Sequence, residues 1–127
     1  MIAVDTSSFV AYFVGDRGVD VEAVDEALSQ KIVVLPPVVL TELLSYSEFP
    51  RQAVTAIQEL PLLGITDGFW ERAGVLRAKI LSHARKARLA DVLIAQSCLD
   101  HGVSLVTRDT DFRHMSRHAG LKVIPSH

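Results

Sequence analysis

The sequence predicts an α/β fold with a central parallel sheet of about five short strands, flanked by helices. Short apolar runs rich in β-branched residues recur along the chain, segments with helical spacing separate them, and no repeat or linker interrupts the alternation. Strands that are apolar on both faces are typical of parallel sheets, because helices cover both sides. A length of 127 residues predicts a single domain spanning residues 1–127.

The predicted elements alternate along the chain. Helix signals begin with Phe9–Phe13, Pro37 suits the first turn of a helix over Val38–Ser45, and Gly102 suits the end of a later helix. The strand candidates are Ile2–Val4, Ile32–Leu35, Leu62–Ile65, Ser104–Val106 and Lys122–Ile124. The other helix faces are predicted from Val21, Val24, Ala27 and Leu28, from Phe69, Ala73, Leu76 and Ile80 (with Thr66 or Asp67 as cap), and from Ile94, Ala95 and Leu99.

Composition narrows the class of protein. The hydrophobic fraction is 49% and mean hydropathy is +0.27, which leaves apolar surface for an interface as well as a core. The longest apolar stretch, Ile32–Leu40, is broken by two prolines and is shorter than the roughly 20 residues of a membrane span. Cys98 is the only cysteine, so no internal disulfide is possible and a reducing cytoplasm is expected. A net charge of −2 excludes a broad basic surface for binding nucleic acid. It does not exclude a nuclease whose active centre is acidic.

Acidic residues occur where an α/β sheet presents its ligand sites, at the carboxyl ends of strands. Asp5 follows the first strand, while Asp109 and Asp111 follow a later one. Asp91 is near the start of an apolar helix, and Glu42 lies within the helical run VVLTELLS. Taken singly, most of them have the ordinary alternative of a helix cap, a turn residue or an exposed helix position. Their predicted convergence at one edge of one sheet favours a shared site.

A cluster of carboxylates needs either protons or cations, because like charges at short range repel. Nearby histidines and cysteines are too few for a zinc site, whereas an all-oxygen donor set matches Mg²⁺ or Mn²⁺. The hydroxyls of Thr6, Ser7 and Thr107 are placed either to donate to these acids and hold water, or simply to cap and form turns.

The segments MIAVDTSSFVAYF, VVLTELLS, ADVLIAQSCLDHG and SLVTRDTDF resemble the PIN-domain family, and within it VapC-type toxins of bacterial toxin–antitoxin pairs. The resemblance covers nearly the whole chain and is weakest over residues 49–88. It implies a PIN-like three-layer sandwich. The acidic positions of the family correspond to Asp5, Glu42, Asp91 and Asp109, with Asp111 as a further acid, and its hydroxyls to Thr6 or Ser7 and to Thr107.

The resemblance implies a ribonuclease that uses Mg²⁺ or Mn²⁺ to hydrolyse RNA phosphodiester bonds. Asp5 would be the central metal ligand, with Asp91 and Asp109 completing the set and Asp111 assisting. Glu42 would hold water at the metal or a second ion. The expected products carry 5′-phosphate and 3′-hydroxyl ends, because water is the nucleophile. The expected partners are an RNA substrate, a small antitoxin that inserts a segment into the acidic groove, and a second copy of the chain in a homodimer.

Basic residues near the acids are candidate RNA contacts, with a solvated surface as the alternative for each. His114 and His118 are four residues apart but lack a third ligand, so we expect surface histidines. Phe69 and Trp70 are expected in the core or at a dimer contact, and Cys98 is expected to pack. The candidate phosphate contacts are Arg85, Lys86 and Arg88 before Asp91, and Arg108, Arg113 and Arg117 around Asp109 and Asp111.

Three other functions are consistent with parts of this pattern. A housekeeping RNA-processing nuclease would use the same acids as a toxin. A non-catalytic scaffold would retain the fold only to bind metal, RNA or protein. A phosphoacceptor receiver domain is disfavoured, because Lys122 precedes the last strand segment and such a domain has no use for Glu42.

Overall fold

The computed structural model describes residues 1–126, and its strands form one parallel sheet. Strand β1 (Ile2–Val4) lies between β2 (Val33–Val34) and β3 (Ser104–Val106), and β4 (Val123–Ile124) pairs with the outer side of β3. Val4 is opposite Val106 in the register of β1 and β3. The carboxyl ends of these two central strands therefore meet at the same edge of the sheet.

The sheet has four strands where about five were predicted. Leu62–Ile65 does not form a strand, and only a single bridge joins Leu62 to Leu35. The Leu63 amide donates to the Leu35 carbonyl at 2.8 Å, and the Leu35 amide donates to the Pro61 carbonyl at 2.9 Å. Pro61 has no amide to donate, and Leu62 and Ile65 are half exposed, so neither hydrogen bonding nor burial extends the pairing.

Helices flank the sheet, as the α/β alternation predicted. Helices α4 (Arg51–Gln58) and α7 (Arg113–Ala119) were not predicted, because the first has a short apolar face and the second is dominated by Arg and His. Helix α1 (Thr6–Phe13) begins one turn before the predicted start. The helices are α1 (Thr6–Phe13), α2 (Val19–Ser29), α3 (Pro37–Ser45), α4 (Arg51–Gln58), α5 (Phe69–Ser82), α6 (Leu89–His101) and α7 (Arg113–Ala119), with a 3₁₀ turn at Thr110–Phe112.

Helix ends were predicted correctly in part. Gly102 ends α6 in the left-handed conformation (φ 63°), which glycine adopts without a steric penalty. The predicted cap of α5 at Thr66 or Asp67 is wrong, because Gly68 (φ 81°) occupies the N-cap. The Thr66 hydroxyl instead donates to Asp100 of α6 at 3.1 Å, and Arg72 also binds that carboxylate. Thr66 therefore joins α5 to α6 rather than capping a helix.

The core fills both sides of the central strands. Ala3 and Val4 of β1 and Leu105 of β3 are fully buried, as expected for a sheet covered on both faces. Cys98 is buried and free, which agrees with the predicted packing role. Trp70, in contrast, is 61% exposed and does not belong to the core.

Within residues 1–126, no helix is both long and apolar enough to cross a membrane.

Candidate active site

Two polar residues follow the central strands directly. Asp5 comes after β1 and Thr107 after β3, and both are buried, with 4% of Asp5 and none of Thr107 exposed. The Asp5 amide donates to the Val106 carbonyl at 2.8 Å, which extends the β1–β3 pairing by one residue. This contact fixes the two polar residues side by side at the carboxyl edge of the sheet.

The Asp5 carboxylate is held by two hydroxyls. Ser7 Oγ and Thr107 Oγ1 both donate to its Oδ2, at 2.8 and 2.9 Å. Burial raises the pKa of Asp5 above its ordinary value, these two hydrogen bonds oppose that rise, and the charge of Glu42 adds to it. The hydroxyls therefore favour the ionised form of a carboxylate that burial alone would neutralise.

Glu42 is oriented by a third hydroxyl. Thr6, the first residue of α1, donates to Glu42 Oε1 of α3 at 2.6 Å. This bond connects residues 36 positions apart in the sequence. Donation to the acids, one of the two roles predicted for the hydroxyls, is thus observed for Thr6, Ser7 and Thr107.

Three further carboxylates converge beside Asp5. Asp91 is in the first turn of α6, and Asp109 and Asp111 follow β3. One oxygen of each lies within 4.8 Å of the others, which is close enough for one metal ion to be shared. Asp109 is also a turn residue, because its Oδ1 accepts the Asp111 amide at 2.9 Å.

Four of the five predicted acids line one open groove of about 330 Å³. Asp111 does not line this groove, and Asp5 does not belong to the three-carboxylate group, whereas Asp91 and Asp109 belong to both. The groove is lined by Asp5, Thr6, Ser7, Val10, Glu42, Tyr46, Arg88, Asp91 and Asp109.

The electrostatics of Asp91 show how closely the acids interact. Burial raises its pKa to about 7, and the charges of Asp5, Asp109 and Glu42 contribute, while Arg88 opposes the rise. A cation in the groove would relieve this repulsion. The donors are all oxygen atoms, so the residues fit a hard divalent ion such as Mg²⁺ or Mn²⁺.

Comparison with known proteins agrees with this geometry. Residues 2–118 match the sequence profile of the PIN domain. The chain belongs to the PIN-domain family. It is 30% identical to "Ribonuclease VapC11" of Mycobacterium tuberculosis over 130 aligned positions, covering 96% of each chain.

Two solved structures share the fold of this PIN domain. One is VapBC-5, a member of the VapBC family of toxin–antitoxin systems from Mycobacterium tuberculosis, with a TM-score of 0.70, 23% identity and coverage of 97% and 96% of the two chains. The other is VapBC2 from Rickettsia felis bound to a DNA fragment from its promoter, with a TM-score of 0.72, 18% identity and 97% coverage of each chain.

The predicted RNA contacts occupy different places around this PIN domain. Arg88 lines the acidic groove, and the Lys86 ammonium is 3.9 Å from Asp111 Oδ2. Arg85, Arg113 and Arg117 line a separate pocket. That pocket also contains His114, which is buried, so the prediction of a surface histidine is wrong at that position. Its helix lies against the core, and the sequence spacing alone did not reveal which face is covered.

Arg108 points away from the acids and toward α2. Its guanidinium donates to both oxygens of Asp20, at 2.8 and 3.2 Å, and to Asp16 Oδ2 at 3.3 Å. Ser8 donates to Asp20 as well, at 2.8 Å. In this structure Arg108 therefore belongs to an internal ion pair, and its contact with phosphate stays a prediction.

Asp20 and Ser8 were missed as contributors to the site region. Asp20 is 5% exposed and therefore lies on the covered side of α2. The signal was present in the sequence, since Asp20 precedes Val24 by four residues and Ala27 by seven, which is the spacing of the buried face. Through Arg108, this pair ties α2 to the loop that carries Thr107 and Asp109.

We predict that Arg108→Ala lowers the free energy of unfolding by about 1.5–3 kcal/mol, because it leaves the buried Asp20 carboxylate without its charged donor. Asp20→Asn in the Arg108→Ala background should recover part of the loss. Urea unfolding of the single and double variants measures both effects. Equal stability of wild type and Arg108→Ala would contradict the interpretation.

We also predict that Asp91→Asn stabilises the protein in EDTA near neutral and higher pH. The folded pKa of Asp91 is raised from 3.8 to about 7, so the folded state binds more protons and stability falls as pH rises through that interval. Solvent screens part of the effect at this half-buried group, and we expect a gain of about 1 kcal/mol. Urea unfolding from acidic to mildly alkaline pH should show the fall in wild type and a shallower one in the variant.

Proposed function

We propose that the chain is a metal-dependent ribonuclease that hydrolyses RNA phosphodiester bonds and acts as the toxin of a toxin–antitoxin pair. The observation that carries the proposal is the acidic groove, in which Asp5, Glu42, Asp91 and Asp109 meet at the carboxyl edge of the sheet. Four acids held in one open groove are costly for stability, which is typical of a functional site rather than a structural one.

Asp91 and Asp109 are the proposed principal ligands of the cation, because they belong both to the groove and to the group of three carboxylates. Asp5 and Asp111 would complete the set from either side. When bound, Mg²⁺ or Mn²⁺ would lower the pKa of water and neutralise charge on the phosphate. The expected ends are a 5′-phosphate and a 3′-hydroxyl.

The chain's own residues prepare the groove for this chemistry. Ser7 and Thr107 hold the Asp5 carboxylate in one orientation and favour its ionised form. Thr6 orients the Glu42 carboxylate. Asp91, with a pKa of about 7, exchanges a proton near neutral pH in the cation-free chain. Binding of a cation would displace that proton, so metal affinity should rise with pH.

The toxin role is supported by the relatives. The 30% identity to a protein named ribonuclease VapC11 extends over 96% of each chain, and VapBC-5, which shares the fold, belongs to a toxin–antitoxin family. A housekeeping RNA-processing nuclease and a non-catalytic scaffold remain the alternatives. The complete set of four acids in the groove favours a catalytic protein over a scaffold.

Different parts of the chain support the proposed partners and location. An antitoxin segment with Arg or Lys would pair with the groove carboxylates and occupy the place of the cation.

Exposed apolar side chains such as Val75 (71%) and Trp70 (61%) support a homodimer contact. We also propose a cytoplasmic location, supported by the single free thiol at Cys98, whose pKa is raised to about 12 by burial.

We predict that purified protein cleaves RNA in Mn²⁺ or Mg²⁺, loses that activity in EDTA and regains it when the cation is restored. Asp5→Asn should lower the cleavage rate by at least about 100-fold, because the groove loses a carboxylate that would hold the cation. Gel analysis of a labelled RNA measures both. The matched control is Asp67→Asn, an exposed acid at the α5 entry, which should cleave like wild type.

Two results would oppose the proposed mechanism. One is undiminished cleavage by metal-stripped protein, which would remove the role of the cation. The other is normal turnover by an Asp5→Asn variant that is folded by circular dichroism.

We predict that expression of the chain alone in a bacterium arrests growth, that Asp5→Asn abolishes the arrest, and that the small protein encoded beside it restores growth. The physical reason is that blocking the acidic groove removes the same activity as neutralising Asp5. Growth curves with matched expression levels measure the effect. A harmless wild type that still cleaves RNA in vitro would favour the RNA-processing alternative.

A further inference from the structure

A second pocket, of about 510 Å³, lies between the segment after α5 and helix α7. We call it the basic pocket. Its lining contains no apolar side chain, in contrast to the apolar and aromatic centre expected of a protein–protein contact. It is lined by Arg85, Arg113, His114, Ser116 and Arg117.

The three arginines of the basic pocket have no carboxylate partner among the described residues. Within residues 1–126, none of their guanidinium groups forms a salt bridge, whereas Arg72 and Arg108 are paired with Asp100 and Asp20. All three are exposed at the mouth of the pocket. Guanidinium groups that face one pocket without counter-charges repel one another, and a bound anion would relieve that repulsion.

His114 shows that the positive charges converge on one place. Burial lowers the pKa of His114, and the charges of Arg113, Arg85 and Arg117 lower it further, while Asp111 opposes them. Because Arg85 comes from the loop before α6 and the other two from α7, the fold brings together charges that are distant in sequence. The positive charge of the pocket thus comes from two separate segments and not from one run of basic residues.

The basic pocket is next to the acidic groove. Lys86, one residue after Arg85, contacts Asp111 at 3.9 Å. Asp111 lies outside the groove, but its carboxylate is within 4.8 Å of those of Asp91 and Asp109, which line it. Arg113 is two residues after Asp111, so their Cα atoms are at most about 7 Å apart. A polyanion crossing the groove would meet carboxylates at Asp91 and Asp109, so it needs cations on its other phosphates to remain bound.

We propose that the basic pocket binds a backbone phosphodiester of the RNA substrate next to the one that is cleaved. This inference rests on the proposed ribonuclease function and adds to it a second point of contact for the strand. Planar guanidinium groups from two sides match the oxygens of a phosphodiester. The contact holds the strand in position and reads no base, so it affects binding rather than the chemical step.

The test uses the Asp5→Asn protein, so that RNA is bound without cleavage. Anisotropy of a fluorescein-labelled oligoribonucleotide of mixed sequence gives the dissociation constant over a range of salt concentrations. Arg85→Gln, Arg113→Gln and Arg117→Gln should each weaken binding about fivefold at 0.1 M salt and lower the salt slope by about 0.7, as expected for one lost phosphate contact on a single strand. The matched control is Lys31→Gln, an exposed cation in the turn before β2, at the opposite edge of the sheet.

A second measurement uses the catalytic chain with Asp5 intact. The same arginine variants should raise KM for RNA cleavage while kcat stays within about twofold of wild type, because the pocket acts on strand binding. Circular dichroism and thermal unfolding establish that each variant is folded.

The outcomes separate this inference from the function on which it depends. If the intact pocket binds no RNA and the chain cleaves none, the proposed function fails. If RNA is bound and cleaved but the pocket variants behave like Lys31→Gln, the basic pocket is not a phosphate site and the inference is overturned. If the variants keep RNA affinity and instead lose the neighbouring small protein in co-purification, the pocket is a protein contact, which also overturns it.

Discussion

The burial of Asp5 at the carboxyl end of β1 is the constraint on which the site depends. A carboxylate beside a central strand is expensive to remove from water unless donors replace the lost hydration. Two hydroxyls, from Ser7 and Thr107, supply that replacement at 2.8 and 2.9 Å. Since one follows β1 and the other follows β3, satisfying this carboxylate also fixes how the ends of the two central strands meet.

The other acids occupy positions that the same edge makes available. Asp91 enters at the start of α6, and Asp109 enters from the turn after β3, where its own oxygen caps the chain reversal. Each position has an ordinary local reason, yet burial and the charges of the neighbouring acids together raise the pKa of Asp91 to about 7. The arrangement lowers the stability of the cation-free fold, and a divalent ion bound there would offset that cost. The function therefore depends on these acids acting together and not on any single one.

Positive charge is distributed around this acidic centre in two ways. Arg108 is used inside the fold, where it holds Asp20 and steadies the loop of Thr107 and Asp109. Arg113 and Arg117 remain available at the basic pocket. Composition does not reveal this difference, because Arg108, Arg113 and Arg117 lie in one basic stretch of the sequence. The difference arises because the Arg108 side chain faces α2.

The sequence by itself determined the α/β class, because apolar strands and helical spacing are local patterns with a fixed period, and four motifs carried the resemblance to the family. It also named the four acids that line the groove. It also placed Gly102 at the end of α6. Tertiary structure decided what depends on contacts between distant segments: the loss of the Leu62–Ile65 strand, the pairing of Arg108 with Asp20 and the burial of His114. These outcomes depend on which surfaces remain uncovered after packing. The spacing of residues along the sequence gives the periodicity of a segment, but it does not identify the neighbouring segment that covers it.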